Sequence, residues 1–172
     1  MEPSALRIQE VLQKLQSHAV DAVVVGGIAA VALGVPYVTH DIDICYDPAP
    51  ENIQRLIDAL KEINARLRVA RMSDDEARQL PFMLDLRTFR DNEMLTLETD
   101  LGSLDLLRFI PGIGDFPAVK AAAIEAEIFG ARFLALDLPA LVTNKRATAR
   151  SKDLLALPLI EATLRARQLA QD

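Results

Sequence analysis

The sequence predicts an α/β or α+β fold, and three observations carry that expectation. A fully apolar run, Ala22–Val25, is followed at once by Gly26 and Gly27. The segment 41–46 then alternates as Asp41, Ile42, Asp43, Ile44, the period-two signature of a strand with unlike faces. Between and beyond these strands lie segments with helical period, clearest at 50–66, where Ile53, Leu56, Ile57, Leu60 and Ile63 form one stripe. Intermixed strands and helices leave α/β or α+β as the economical class.

The elements follow in order. Residues 4–17 predict a first helix, with Ser4 as its cap and Leu6, Val11, Leu12 and Leu15 near one face. Ala22–Val25 reads as a strand buried on both faces. A compact helix of small residues follows over 28–33, ended by Gly34 and Pro36. Residues 41–46 form the next strand, and Pro48 and Pro50 open the long helix over 50–66. A short strand is expected at 68–70. Ser73, Asp74, Asp75 and Glu76 read as the cap and acidic first turn of a helix that ends near Pro81. Strands are expected at 94–99 and 103–107 with a turn or bulge at Gly102. Pro111, Gly112 and Gly114 mark a loop. A helix over 116–123 and short strands at 125–129 and 132–135 come next. Asp137 caps a helix through about 145, and a final helix covers roughly 151–170 with Pro158 as its weak point. The chain reads as one domain over 1–172 whose last part, about 137–172, is mostly helical.

Composition narrows the function classes. The chain has 172 residues, 51% of them hydrophobic, enough for a core without disulfides or structural metals. Its formal net charge is −6, which argues against general nucleic-acid coating but leaves room for one local basic groove. Cys45 is the only cysteine, as suits a reducing compartment. The first residues lack a cationic region followed by an apolar run, and no apolar stretch approaches a membrane span. The expectation is a cytoplasmic protein with no membrane partner.

Asp41 and Asp43 point to one face of their strand while Ile42 and Ile44 point to the other. Two neighbouring carboxylates at the rim of a buried sheet repel each other, and a bound Mg²⁺ resolves that conflict. A lone Asp-x-Asp is common on solvated strand ends. Here thirteen residues separate Gly27 from Asp41, room for one short helix and a loop between two core strands. Gly26 and Gly27 before a helix offer backbone N–H groups to a phosphate. Asp105 interrupts the apolar pattern GSLDLL and is the third candidate. If its strand adjoins the Asp41 strand, three carboxylates converge and suit a two-Mg²⁺ site. Asp47, Asp85 and Asp100 rank below it: Asp47 lies toward a proline turn, Asp85 sits in a segment that could equally be a strand, and Asp100 precedes a turn. Lys145, Arg146, Arg150 and Lys152 crowd one interval of an acidic chain. They suit either a helix C-terminus or neutralisation of a polyphosphate. His18 reads as a surface residue and Cys45 as a small strand residue, not a nucleophile.

This ordered set resembles the nucleotidyltransferase superfamily related to polymerase beta, and in particular its minimal members of abortive-infection and toxin–antitoxin type. The resemblance rests on GGIAAVALG…VTHDIDI, then LGSLDLL, then ALDLPALVTNKRATARSKDLLAL, and covers most of 20–160. It implies a mixed central sheet flanked by helices and transfer of an NMP from an NTP to an acceptor hydroxyl. Asp41 and Asp43 would hold two Mg²⁺ ions. Asp105 would bind the catalytic one and help deprotonate the acceptor. Gly26, Gly27, Thr39, Lys145 and Lys152 would contact the nucleotide phosphates, with His40 and Asp153 supporting them from behind. Tyr37 stands where such proteins carry an arginine or similar residue, which leaves the phosphate contacts of that loop open. The acceptors permitted are a tRNA end, slightly favoured, a protein or a small molecule, and a cognate antitoxin is a possible partner. A catalytically inactive binding module of the same fold is the alternative.

Overall fold

The structure, a computed structural model, describes residues 7–68, 71–81 and 84–171. Helix α1 spans Ile8–Ser17 and buries Val11, Leu12 and Leu15. Arg7 occupies its N-cap position, and the expected cap Ser4 lies outside the described residues. Strand β1, Ala22–Val25, is buried throughout. Helix α2, Gly26–Ala32, begins at the glycines themselves, two residues before the expected start. Strand β2 covers Asp41–Tyr46 and α3 covers Pro50–Glu62, with proline in its first turn, where no N–H is needed.

Beyond α3 the local pattern is less faithful. The short strand falls at Arg66–Leu67 (β3), not 68–70, of which residues 69 and 70 lie outside the described residues. Helix α4 is Asp74–Arg78, closed by a capping box between Ser73 and Glu76. The strand alternative around Asp85 is overturned. That residue caps α5, Leu86–Asp91, because its carboxylate accepts hydrogen bonds from the Thr88 backbone N–H and hydroxyl. Strands β4, Met94–Thr99, and β5, Gly102–Leu107, form a hairpin in which Gly102 already belongs to the ladder. A two-residue pair, β6 at Phe109–Ile110 and β7 at Gly114–Asp115, closes the Pro111 loop. Helix α6, Phe116–Ala121, leads into β8, Ala123–Ile128, and β9, Ala131–Leu136. Asp137 caps α7, Leu138–Thr148, by accepting from the Ala140 N–H at 2.8 Å. Helix α8, Ser151–Leu169, carries Pro158 inside it.

Seven strands form one mixed sheet in the order β3-β4-β5-β2-β1-β9-β8. The central β5 and β2 are parallel, and β2 and β1 antiparallel. Tyr46 meets Phe89 of α5 edge-on, with ring centroids 5.7 Å apart, so α5 and the neighbouring α3 cover the Ile42–Ile44–Tyr46 face of β2. Helices α2 and α6 contact β2 from the other side, where Asp41, Asp43 and Cys45 point. Helices α7 and α8 pack as a pair, and α7 leans on α2. The far end of α8 is tied back by Arg167, which donates to the Leu33 carbonyl at 2.6 Å. No helix among the described residues is long and apolar enough to cross a membrane.

Phe89 is fully buried against Tyr46 and fastens α5 to the sheet face opposite the carboxylates. Phe89→Ala should cost roughly 3–5 kcal/mol of stability, read as a lower urea midpoint at unchanged slope.

Candidate active site

The sheet register brings the three carboxylates together. Asp43 of β2 stands directly opposite Asp105 of β5, and Asp41 stands opposite Ser103, two residues along on the same face. Asp43 and Asp105 face each other across adjacent strands, so the charge of each disfavours ionisation of the other. Burial, then the charges of Asp105 and Asp41, push Asp43 up to about 7 from its ordinary 3.8. Asp105 is also raised, chiefly by burial, against the lowering pull of Arg68. Asp105 Oδ1 is buried and has no hydrogen-bond partner.

Gly26 is required by this crowding. Its φ is +66°, and a Cβ there would strike Asp43 Oδ2 and lie 3.1 Å from its Cγ. Gly27 is equally confined: a Cβ would sit 2.8 Å from Thr39 Cβ and 3.0 Å from Tyr37 Cε1. The pair of glycines thus lets the start of α2 approach both Asp43 and the loop that ends in Thr39. The Thr39 hydroxyl donates to the Asp41 carbonyl at 3.3 Å, fixing the loop against β2. His40 is exposed at the end of that loop.

The cations divide into two groups. Lys152 and Arg150 lie within electrostatic reach of Asp43, and Lys152 also of Asp105. Lys145 is buried and donates to Asp153 Oδ1 at 2.8 Å, at the start of α8. Asp153 is fully buried and also accepts from the Thr148 hydroxyl at 2.7 Å and Arg150 Nε at 2.8 Å. Burial alone would raise its pKa, but hydrogen bonds from Arg150, Lys145 and Thr148 outweigh it and hold the carboxyl well below the usual range. Asp153 additionally accepts from the Arg150 backbone N–H at 3.2 Å, so it caps α8 as well as pairing Lys145.

Three residues given no role from sequence belong to the same surface. Arg68 reaches Asp41 Oδ1 at 3.9 Å and Glu98 Oε2 at 3.6 Å. Glu98 of β4 stands opposite Ser103, whose hydroxyl donates to it at 2.8 Å. The alternation of β4 carried a signal for Glu98, because it shares the strand face of Thr96, which pairs with Asp105. Nothing local to Arg68 marked it. The lesser acidic candidates lie elsewhere. Asp47 accepts from the Ala49 N–H in a turn, Asp100 meets Asn64, Arg66 and Arg78, and Asp85 caps α5. Cys45 is buried and its thiol is pushed up to about 12, by burial and then by Asp115, which removes it as a nucleophile.

The donor set fits a hard divalent cation: oxygen ligands only, on adjoining strands, with one buried carboxylate oxygen unpartnered. Among the described residues no three His, Cys, Asp or Glu side chains already stand in metal-ligand geometry. Asp43, pushed up to about 7, must lose its proton before it can act as a ligand beside Asp105.

Comparison with known proteins follows the same lines. The family described as "Nucleotidyl transferase of unknown function (DUF2204)" matches residues 4–71, the segment with Gly26, Gly27, Asp41 and Asp43. The lincosamide antibiotic adenylyltransferase LnuA, solved with lincomycin bound, superposes with a TM-score of 0.55 at 15% identity, over 90% of this chain and 94% of that one. The antibiotic-resistance factor ANT(2'')-Ia superposes with a TM-score of 0.52 at 15% identity, over 94% and 93%. No curated protein matches by sequence. The fold is that of the nucleotidyltransferases, as the ordered motifs implied.

Two outcomes test the electrostatics. A carboxyl whose native pKa is raised keeps its proton when the unfolded chain has lost it. Native stability therefore falls as pH rises from about 4 to about 7, and the full penalty persists above that window. Asp43→Asn should raise the metal-free melting temperature at pH 8 by several degrees, roughly 1–3 kcal/mol, and give no gain below pH 4. Lys145→Met, by contrast, should cost about 3 kcal/mol by removing a donor from a fully buried carboxylate, and adding Asp153→Asn should recover part of the loss in urea melts.

Proposed function

We propose that this chain is a Mg²⁺-dependent nucleotidyltransferase that moves an NMP from an NTP to an acceptor hydroxyl. The observation that carries the proposal is the register of Asp43 with Asp105, with Asp41 two residues along and Gly26 packed against Asp43. Asp41 and Asp43 would hold two Mg²⁺ ions, and Asp105 would share one of them. When bound, the ions supply charge neutralisation to the triphosphate and acidify the acceptor hydroxyl.

The chain's own residues do the remainder. The acceptor oxygen attacks the α-phosphorus, the bond from that phosphorus to the β-bridging oxygen breaks, and pyrophosphate departs with the electron pair. Asp105 takes the acceptor proton; burial, which raises its affinity for a proton, suits it to that task. Backbone N–H groups at Gly26 and Gly27, with the Thr39 hydroxyl, receive the β- and γ-phosphates at the start of α2. Lys152 neutralises phosphate charge from the opposite wall, and Arg150 joins it there. Lys145 acts through Asp153: together they fix the start of α8 and so the placement of Arg150 and Lys152. His40 borders the acceptor side of the loop.

The acceptor is a hydroxyl on a tRNA end, a protein or a small molecule. The cationic interval from Arg146 to Lys152 favours tRNA, and the antibiotic-modifying activity in the name of LnuA supports a small acceptor of the same reaction class. A cognate antitoxin-like protein is a further candidate partner, and the cytoplasm is the compartment proposed.

The test incubates labelled NTPs with Mg²⁺ and RNA, protein or small-molecule acceptors. Wild type should release pyrophosphate and label one acceptor class. Asp41→Asn and Asp105→Asn should lower the rate by 100-fold or more while remaining folded. RNA labelling that declines steeply with salt assigns a phosphate-bearing acceptor. Nucleotide binding without pyrophosphate release across all acceptors makes the chain a binding module, and absence of both defeats the proposal.

A further inference from the structure

Arg68 follows β3 at the edge of the sheet, where its N–H donates to the Thr96 carbonyl at 2.9 Å. Two strands, β4 and β5, lie between β3 and β2 in the order β3-β4-β5-β2, yet the guanidinium, which donates to the Leu97 carbonyl of β4 at 3.4 Å, comes within 3.9 Å of Asp41. Both contacts to carboxylates, 3.9 Å to Asp41 and 3.6 Å to Glu98, are longer than a hydrogen bond. The side chain is 41% exposed and that of Asp41 39% exposed. An ion pair of this kind is weak and readily exchanged. Glu98 is better fixed, because Ser103 donates to it at 2.8 Å. The contrast with Lys145, locked on buried Asp153 at 2.8 Å, separates a structural cation from an exchangeable one.

We propose that Arg68 is a placeholder cation: it occupies the charge position at Asp41 in the metal-free protein and withdraws onto Glu98 when a divalent cation takes that carboxylate. This inference rests on the reading of Asp41, Asp43 and Asp105 as metal ligands. Arg68 serves as a positioning residue, since it acts through Asp41 and Glu98. It offsets the mutual repulsion of four acidic side chains on one sheet face while no metal is bound, and competes with the metal for one of them. Glu98 sets the balance by giving the guanidinium a second place to rest. Removing Arg68 should therefore leave the metal-free protein less stable and the metal more tightly held. A merely structural arginine would do the reverse to metal affinity, because disordering Asp41 weakens its ligation.

The experiment titrates the full chain with Mn²⁺ alone, following free metal by electron paramagnetic resonance at fixed pH and low salt, with melting temperatures measured in parallel. Arg68→Gln should melt lower than wild type without metal, recover most of the difference when saturated, and bind Mn²⁺ roughly 3- to 10-fold tighter. Arg68→Lys, which keeps the charge but loses the planar fork, should fall between the two. Glu98→Gln should leave Arg68 on Asp41 and weaken Mn²⁺ binding about threefold, an effect that largely disappears in the Arg68→Gln background. Unchanged or weaker Mn²⁺ binding by both Arg68 variants overturns the placeholder while leaving the metal site intact. Absence of saturable Mn²⁺ binding by folded wild type, with or without ATP, overturns the metal-site reading and the placeholder with it.

Discussion

Two carboxylates facing each other across adjacent strands constrain everything around them. Asp43 and Asp105 meet because β2 and β5 run parallel in one register, and at that spacing both cannot ionise freely. The raised proton affinity of Asp43 and the glycine at position 26 both follow from the same crowding. A side chain at residue 26 would displace the Asp43 carboxylate. The start of α2 and the acidic pair are therefore one structural unit, although fifteen residues or more of chain lie between their parts.

Around that unit the molecule arranges positive charge at two levels of rigidity. The C-terminal pair of helices builds a buried anchor in which Asp153 collects donors from Lys145, Thr148 and Arg150. Such a network is costly to break and fixes the backbone from which Arg150 and Lys152 project. At the opposite edge, Arg68 stands at long distance from two partly exposed carboxylates. Fixed cations suit a polyphosphate that must be held in one place.

The sheet also explains why the apolar side of the fold is ordinary while the polar side is not. Ile42, Ile44 and Tyr46 need only a hydrophobic cover, which α3 and α5 supply. Asp41 and Asp43 on the alternate positions need a cover that brings counter-charge and leaves an opening. Helices α2 and α6 lie against that face, α2 lacking side chains at its start, and the start of α8 brings the counter-charge.

The sequence by itself determined the order and type of most elements, because period two and period 3.6 are local properties of the chain. It also marked Gly26, Gly27, Asp41 and Asp43 as one unit through short spacing, and singled out Asp105 as a carboxylate in an apolar strand that the family resemblance joins to them. Where a local signal was shared between structures it misled: Asp85 fits a strand pattern or a helix cap, and only its hydrogen bonds to Thr88 decide between them. The tertiary structure alone decided that β5 lies beside β2 with Asp105 level with Asp43, since that pairing joins residues about sixty positions apart. It turned Lys145 inward to Asp153, and it brought Arg68 and Glu98 to the acidic face from the sheet's edge. Strand order and the reach of a side chain across neighbouring strands are set by packing of the whole core, and no pattern near those residues in the chain encodes them.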